Sequence, residues 1–314
     1  MKHSLRMFIT KKDTNMAKTK VLVIVGGGVF GCIPAKFLSF LPKEEQNLCE
    51  VDALAGCSIG GILAAAYASG LTFSSVSDIF EHNADRCFTK RTYAKFNPLT
   101  NPTYDSEALY KVLDELYDDE TMGDVREVYP NLDLFIPALN ITDDKYKVFD
   151  NIRDQDADVS LKKVAAITSA APTYFRGIEH EGKCYIDGGL IEVAPLLTAV
   201  TALRKQRGIK FEDMDVLMLG TGKDITDKPI STDDYNSYTL LGVAMNVIVP
   251  YVTLSNELAT NYWGENMGFN SFINFNPCTN NGKLDDVSTL PDLMKQCEQH
   301  KEEFLKVWHE WLNN

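Results

Sequence analysis

The apolar positions of this chain fall into short blocks whose spacing separates strands from helices. Lys20-Val21-Leu22-Val23-Ile24-Val25 is an unbroken, β-branched run that stops at three glycines, the pattern of a strand buried in a parallel sheet. Cys32 to Leu41 follows with helical character and halts near Pro42. The pair then repeats: Val51 to Ala55 predicts a second strand, and Ser58 to Ser69 a second helix ending at Gly70. Leu132 to Leu139 and Tyr146 to Phe149 predict strands on either side of an Asn140–Lys145 turn. Val164 to Ala171 reads as a short helix, and Cys184 to Ile186 and Val216 to Leu219 as further strands. Near the C-terminus, Leu293, Cys297, Phe304, Leu305, Trp308 and Leu312 recur at helical spacing. Such a face packs onto the body of a protein, with membrane contact as the second reading.

Strands alternating with helices define an α/β domain with a mainly parallel central sheet. A chain of 314 residues buries roughly three quarters of its unfolded surface, enough for one large domain. With no repeat and no low-complexity linker, residues 20–314 read as a single domain. Residues 1–19 carry Lys2, Arg6, Lys11, Lys12 and Lys18 against Asp13 alone and read as a disordered basic extension. Met16-Ala17 offers an alternative start that leaves residues 1–15 dispensable. No apolar core of a secretory signal stands in this stretch.

Charge and cysteine usage narrow the function classes. A net charge of −13 argues against nucleic acid as the main partner, because phosphate binding needs a basic face. It equally opposes whole-body attraction to an anionic membrane, although a local patch remains able to act. Acidic clusters at Asp114 to Glu120 and Glu212 to Asp215 read as solvated surface. The seven cysteines are scattered, odd in number and free of any C-x-x-C pair, which suits thiols in a reducing cytoplasm. The glycosylation spelling Asn140-Ile141-Thr142 is therefore read as incidental. The longest apolar region, Leu240 to Val252, is broken by Asn246 and Pro250 and falls short of the roughly 20 residues of a membrane span.

The chemistry starts at Gly56-Cys57-Ser58-Ile59-Gly60. Strand, Gly-x-Ser-x-Gly, then helix is the form of a nucleophile elbow, a tight turn that lifts the serine hydroxyl clear of the backbone. Upstream, Gly26-Gly27-Gly28-Val29-Phe30-Gly31 admits two readings. Gly26, Gly28 and Gly31 satisfy the dinucleotide-binding spacing, with Glu50 or Asp52 near the expected ribose position. That acid should close the second strand, yet Glu50 and Asp52 open it. Alternatively, the unhindered N–H groups of Gly27 and Gly28, beside a helix N-terminus, form an oxyanion hole.

A serine nucleophile needs a base, and the five histidines offer a poor one. Of His3, His82, His180, His300 and His309, the last two fall in the charged C-terminal stretch and His180 precedes a glycine turn. Asp187 is the better candidate, delivered by Cys184-Tyr185-Ile186 into a turn at Gly188-Gly189. The same residues also spell a plain Asp-Gly turn. A free aspartate, with its pKa of about 3.9, is a weak base, and partial burial raises it. Asp154, Asp156 and Asp158 imitate the start of a calcium loop, but Val159 and Ala165 stand where its glycine and its glutamate belong. No metal or other cofactor is expected.

Taken together, Gly-Gly-Gly-Val-Phe-Gly, Gly-Cys-Ser-Ile-Gly and Asp-Gly-Gly, in this order, resemble the three signatures of patatin-like phospholipases. Thr168 to Phe175 resembles the family's segment ahead of its aspartate, Leu219 to Gly222 a later strand end, and Tyr104 to Asp124 its middle helix. The likeness spans residues 20 to 222 and leaves residues 223–314 weakly covered. It implies a patatin-like three-layer α/β fold and a lipid acyl hydrolase working through a Ser–Asp dyad and an acyl-enzyme. Ser58 would be the nucleophile, Asp187 the base, and Gly26, Gly27 and Gly28 the oxyanion glycines, with Gly31, Gly56, Gly60, Gly188 and Gly189 supporting the motifs. The substrate implied is a membrane phospholipid or other acyl lipid; with the cytoplasmic setting that the cysteines suggest, peripheral membrane contact stays open.

Two departures stand out. Phe30 occupies a position where members carry Arg or Lys, and Glu192-Val193-Ala194-Pro195 replaces an Asn-rich stretch. They keep a catalytically weak lipid-binding relative in view, beside the more remote dinucleotide-binding oxidoreductase. Tyr93 to Tyr104 reads either as a lid or as a plain connecting loop.

Overall fold

Ten strands and ten helices follow one another in a computed structural model that describes residues 18–89, 102–224, 249–279 and 285–314, with positions 233 and 236. The strands are β1 (Thr19–Ile24), β2 (Ala53–Gly56), β3 (Asp133–Asn140), β4 (Lys145–Asp150), β5 (Ile178–His180), β6 (Lys183–Asp187), β7 (Met214–Leu219), β8 (Lys223–Asp224), β9 (Ser271–Phe275) and β10 (Cys278–Thr279). The helices are α1 (Cys32–Ser39), α2 (Ile59–Ala68), α3 (Phe73–Cys87), α4 (Ser106–Leu116), α5 (Val125–Val128), α6 (Leu161–Thr168), α7 (Leu196–Arg207), α8 (Val249–Asn266), α9 (Leu290–Gln299) and α10 (Lys301–Asn313). Residues 1–17 of the basic extension, residues 93–101 and residues 240–248 lie outside the described residues, and Thr19, read as part of the extension, already opens β1.

The main sheet runs β5-β6-β3-β2-β1-β7-β9, with β4 on the other edge of β3. Strands β3, β2, β1, β7 and β9 are parallel, and β4, β5 and β6 make the sheet mixed by pairing antiparallel. Strand alternation divides the core into two layers. Leu22, Ile24, Leu54 and Ile136 face α1, α2, α3, α4, α6, α9 and α10. Val21, Val23, Ala53 and Val216 face α7 and the aromatic pair Phe269 and Phe272. This three-layer α/β arrangement is the expected one.

Helix boundaries follow their capping chemistry. The helix predicted over Val164–Ala171 starts earlier, at Leu161, because the Ser160 hydroxyl accepts the Lys163 N–H at 3.2 Å. The helix read over Tyr104–Asp124 shrinks to α4, where Asp105 caps the start and Tyr117 turns extended to donate its hydroxyl to Ile62 O at 2.6 Å. The single C-terminal helix becomes α9 and α10, divided at His300. Asp215, read as part of an acidic surface, is instead fully buried in β7. Lys20 Nζ at 3.0 Å, Asn270 Nδ2 at 2.7 Å and Ser271 Oγ at 2.7 Å donate to its carboxylate, a pairing that a buried charge requires. No helix among the described residues is long and apolar enough to cross a membrane.

Candidate active site

The site arises from an unusual use of β3. One edge of this strand pairs with β4 from Phe135 to Asn140. Its opposite edge is shared, with β2 parallel along Asp133–Phe135 and β6 antiparallel along Ala138–Asn140. The two strands therefore approach end to end, and both point their C-terminal ends into the gap between them. The three-residue step from Phe135 to Ala138 makes that gap roughly 10 Å wide at about 3.3 Å per residue. Gly56, Cys57 and Ser58 enter it from β2, and Asp187 enters it from β6.

Ser58 sits at the N-cap of α2 with φ 54° and ψ −126°, a strained conformation for a residue with a Cβ. Its surroundings fix the turn. The Thr168 hydroxyl accepts the Ser58 N–H at 3.1 Å and donates to Pro137 O at 2.7 Å. Gly56 and Gly60 are obligatory, since a Cβ would lie 2.1 Å from Gly60 O in the first case and 2.3 Å from Ile24 O in the second. At Gly31 a Cβ would strike the Ile59 side chain at 2.2 Å, and at Gly188 it would strike Pro137 O at 2.7 Å. The glycines of all three motifs thus permit the close approach of four chain segments.

Asp187 is 5% exposed and lines the same cavity as Ser58, whose side chain lies close enough to favour the ionised carboxyl. Its Oδ1 also accepts the Gly189 N–H at 2.7 Å, with Cys57 Sγ at 3.7 Å. Burial pushes its carboxyl up to about 6, against the lowering effect of the Ser58, Gly189 and Cys57 hydrogen bonds. Desolvation therefore outweighs hydrogen bonding here.

The three oxyanion candidates divide by geometry. The Gly26 N–H donates to Val193 O at 2.9 Å, so Gly26 ties the loop to the segment after Asp187 instead of offering a donor. A Cβ on Gly26 would also lie 2.9 Å from Cys57 O. Gly27 and Gly28 line the cavity beside Ser58, and no acceptor among the described residues takes their N–H groups. Gly28 adopts φ 58° and opens a 3-10 turn that leads into α1, so both amides stand at a helix start, where negative charge is favoured.

Above Ser58 and Asp187 opens a cavity of about 330 Å³. Its deeper wall is apolar, supplied by Phe80 and Ala84 of α3 and by Leu109, Val112 and Leu116 of α4. Tyr174 and Phe175 close one side. This rim is tied down by Thr103 N–H to Thr173 O and by Tyr104 N–H to Tyr174 O, both at 2.9 Å.

Among the histidines, His82, His180, His300 and His309 are described, and none lines the cavity. Phe30 is 5% exposed within the core layer and does not reach the cavity. Glu192 accepts the Leu197 and Thr198 N–H groups at the start of α7, at 2.6 and 3.3 Å, and so serves as a helix cap. Asp52, the ribose candidate, accepts the Lys20 N–H at 2.8 Å at the opposite end of the strands from the glycine loop, and the serine elbow fills the space beside Gly26. Asp156 of the calcium-like run is ion-paired with Lys147 and, at 3.8 Å, with Arg153.

Sequence reasoning missed Thr168 and the walls contributed by α3 and α4. The α3 signal was present: Phe73, Val76, Phe80, Ala84 and Cys87 lie on one buried face behind a Thr72 cap that accepts the Ser75 N–H.

Fold and site together define a class, the α/β proteins with an apolar cavity beside a strand–helix serine elbow. The family follows from comparison. The patatin-like phospholipase model matches residues 22–200, more than half of the chain, and the chain belongs to that family. A protein of Vibrio cholerae described as a cGAMP-activated phospholipase is 25% identical over 272 residues, covering 77% of this chain and 75% of its own. Patatin-17 of Solanum cardiophyllum is 28% identical over 246 residues, 64% of this chain and 60% of its own. Among solved structures, VipD from Legionella pneumophila aligns over 95% of this chain and 67% of its own, with 13% identity and a TM-score of 0.48.

Proposed function

We propose that the protein is a lipid acyl hydrolase of phospholipase A type, with Ser58 as nucleophile and Asp187 as its base. The observation that carries this reading is the end-to-end meeting of β2 and β6, which brings the elbow serine and a buried carboxyl together on the floor of an apolar cavity. In the first half-reaction Asp187 takes the hydroxyl proton while Ser58 Oγ attacks the ester carbonyl. The Gly27 and Gly28 amides hold the oxyanion, and the glycerolipid alcohol leaves with the proton from Asp187. In the second half Asp187 takes a proton from water, the hydroxide attacks the acyl-enzyme, and the fatty acid leaves as Ser58 recovers its proton. The acyl chain lies along α3 and α4.

The carboxyl must be ionised to act as a base, so kcat/KM should fall as pH drops through about 6. A catalytically weak relative loses its main support, because the Phe30 position is a core site away from the cavity. The test measures fatty-acid release from phosphatidylcholine, lysophosphatidylcholine and triacylglycerol vesicles. Wild type, Ser58→Ala and Asp187→Asn are compared, each with and without the cyclic dinucleotide that activates the bacterial relative by its description. Release by wild type and its loss by about 10³-fold or more in both variants is expected. Unaltered release by Ser58→Ala refutes the mechanism.

A further inference from the structure

The elbow motif contains a side chain with no part in the mechanism above. Cys57 is fully buried and directs its Sγ at Asp187 Oδ1, 3.7 Å away. Burial, with the neighbouring Asp187 carboxyl as second cause, pushes this thiol well above its usual range, so it keeps its proton and acts as a donor. The same oxygen accepts the Gly189 N–H at 2.7 Å. A carboxylate oxygen has two lone-pair directions, and both of those on Oδ1 are thereby engaged.

From this geometry we infer that Cys57 is a positioning residue for Asp187: with Gly189 it holds Oδ1, fixes the rotation of the carboxyl, and leaves Oδ2 to exchange the Ser58 proton. The inference rests on the Ser–Asp reading proposed above. The thiol acts through the aspartate and touches no substrate. A sulfur donor suits the role. An S–H bond is weak, so it orients the carboxylate without lowering its basicity as far as a hydroxyl at the same point would. The surrounding groups leave that balance to burial and these hydrogen bonds. Ser58 and Thr168 face the pair from α2 and α6, and Glu192 and Tyr146 are the nearest other titratable groups. Among the described residues, Cys32, Cys87 and Tyr174 are the remaining titratable side chains of the cavity, and no lysine, arginine or histidine lines it.

The experiment records kcat/KM against pH for wild type, Cys57→Ala, Cys57→Val and Cys57→Ser, with the rate of fluorophosphonate labelling followed in parallel. Loss of the donor in Cys57→Ala and Cys57→Val should move the acidic limb up by about half a pH unit. That is about a twofold loss at pH 6, approaching threefold below pH 5 and shrinking towards pH 8. Cys57→Ser, with a stronger donor, should place the limb at or below the wild-type position. A packing role alone would lower activity equally at all pH values. Superimposable limbs in the four proteins, or a limb in Cys57→Ser that rises with the other two, overturn the inference. Should Cys57→Ala and Cys57→Val fail to fold, the Cys57→Ser limb decides: a rise overturns the inference. Wild-type activity in Ser58→Ala would instead remove the Ser–Asp reading, so the two failures are distinguishable.

Discussion

Asp187→Asn should make the protein more stable at neutral pH while abolishing turnover. The side chain is buried, and the ordinary aspartate value of 3.8 is raised to about 6 in the folded chain. Between those values the folded state holds a proton that the unfolded chain has released. Stability is therefore highest below pH 4 and declines as pH rises towards 6, after which the full cost of a buried carboxylate persists. At about 1.4 kcal/mol for each tenfold change in proton affinity, that interval corresponds to about 3 kcal/mol. The amide introduced by the substitution retains an oxygen acceptor for the Gly189 N–H and carries no charge to desolvate. Urea midpoints and melting temperatures of wild type and variant, taken at pH 4, 6 and 8, test this. The variant should gain about 3 kcal/mol at pH 8, or about 6 °C for a domain of this size, and almost nothing at pH 4. Equal stability at pH 8, or a gain of the same size at every pH, refutes the argument that desolvation governs this carboxyl.

Three other substitutions probe the walls and the elbow. Ala84→Phe projects a ring into the cavity from α3 and should cut hydrolysis of palmitoyl esters far more than butyryl esters. Each excluded methylene costs about 0.8 kcal/mol, or about fourfold in kcat/KM; equal losses for both chain lengths would place the acyl chain elsewhere. Thr168→Val keeps its shape but strands the Ser58 N–H, which should destabilise by about 1–3 kcal/mol and lower kcat tenfold or more, whereas Thr168→Ser restores both. Gly60→Ala puts a methyl group 2.3 Å from Ile24 O, and neither backbone can yield cheaply. A loss of about 3 kcal/mol or more in denaturant titration is expected, and a near-neutral result would mean the elbow is looser than described.

The sequence carried most of the strands because a strand buried in a parallel sheet leaves a local trace. Val21–Val25 and Val216–Leu219 are continuous apolar runs, and each is found within one or two residues of its expected place. The serine and the aspartate were legible for another reason: the glycines around them record close approaches that no Cβ permits. Other features were set by partners distant in the chain. Asp215 looks like one more surface acid until Lys20, Asn270 and Ser271 converge on it. The Gly26 N–H reads as a free oxyanion donor until Val193 O is brought against it. Phe30 reads as a missing charge at the site, and only the burial of the 3-10 turn Gly28–Gly31 shows that the position belongs to the core.

No histidine among the described residues lines the cavity that holds Ser58 and Asp187, and the sheet accounts for that. Where an imidazole relays the proton, the carboxylate stands one residue further away and the imidazole's ordinary pKa of about 6.5 sets the basicity. Here the gap between the ends of β2 and β6 is closed by the elbow and the Asp-Gly-Gly turn, and Ser58 and Asp187 line one cavity. In the proposed mechanism the carboxylate supplies the basicity itself, and burial lifts it to about 6, close to the imidazole value. In the proposed mechanism the desolvation that fits Asp187 to act as a base is also a liability to the fold, so activity and stability should trade against each other at this one side chain. A variant that exposes Asp187 to water, such as Val193→Gly at the cavity wall, should show this trade directly. Its acidic limb should move below pH 6 while the slope of stability against pH between 4 and 6 flattens. A limb that shifts without that flattening would separate the two effects and break the argument.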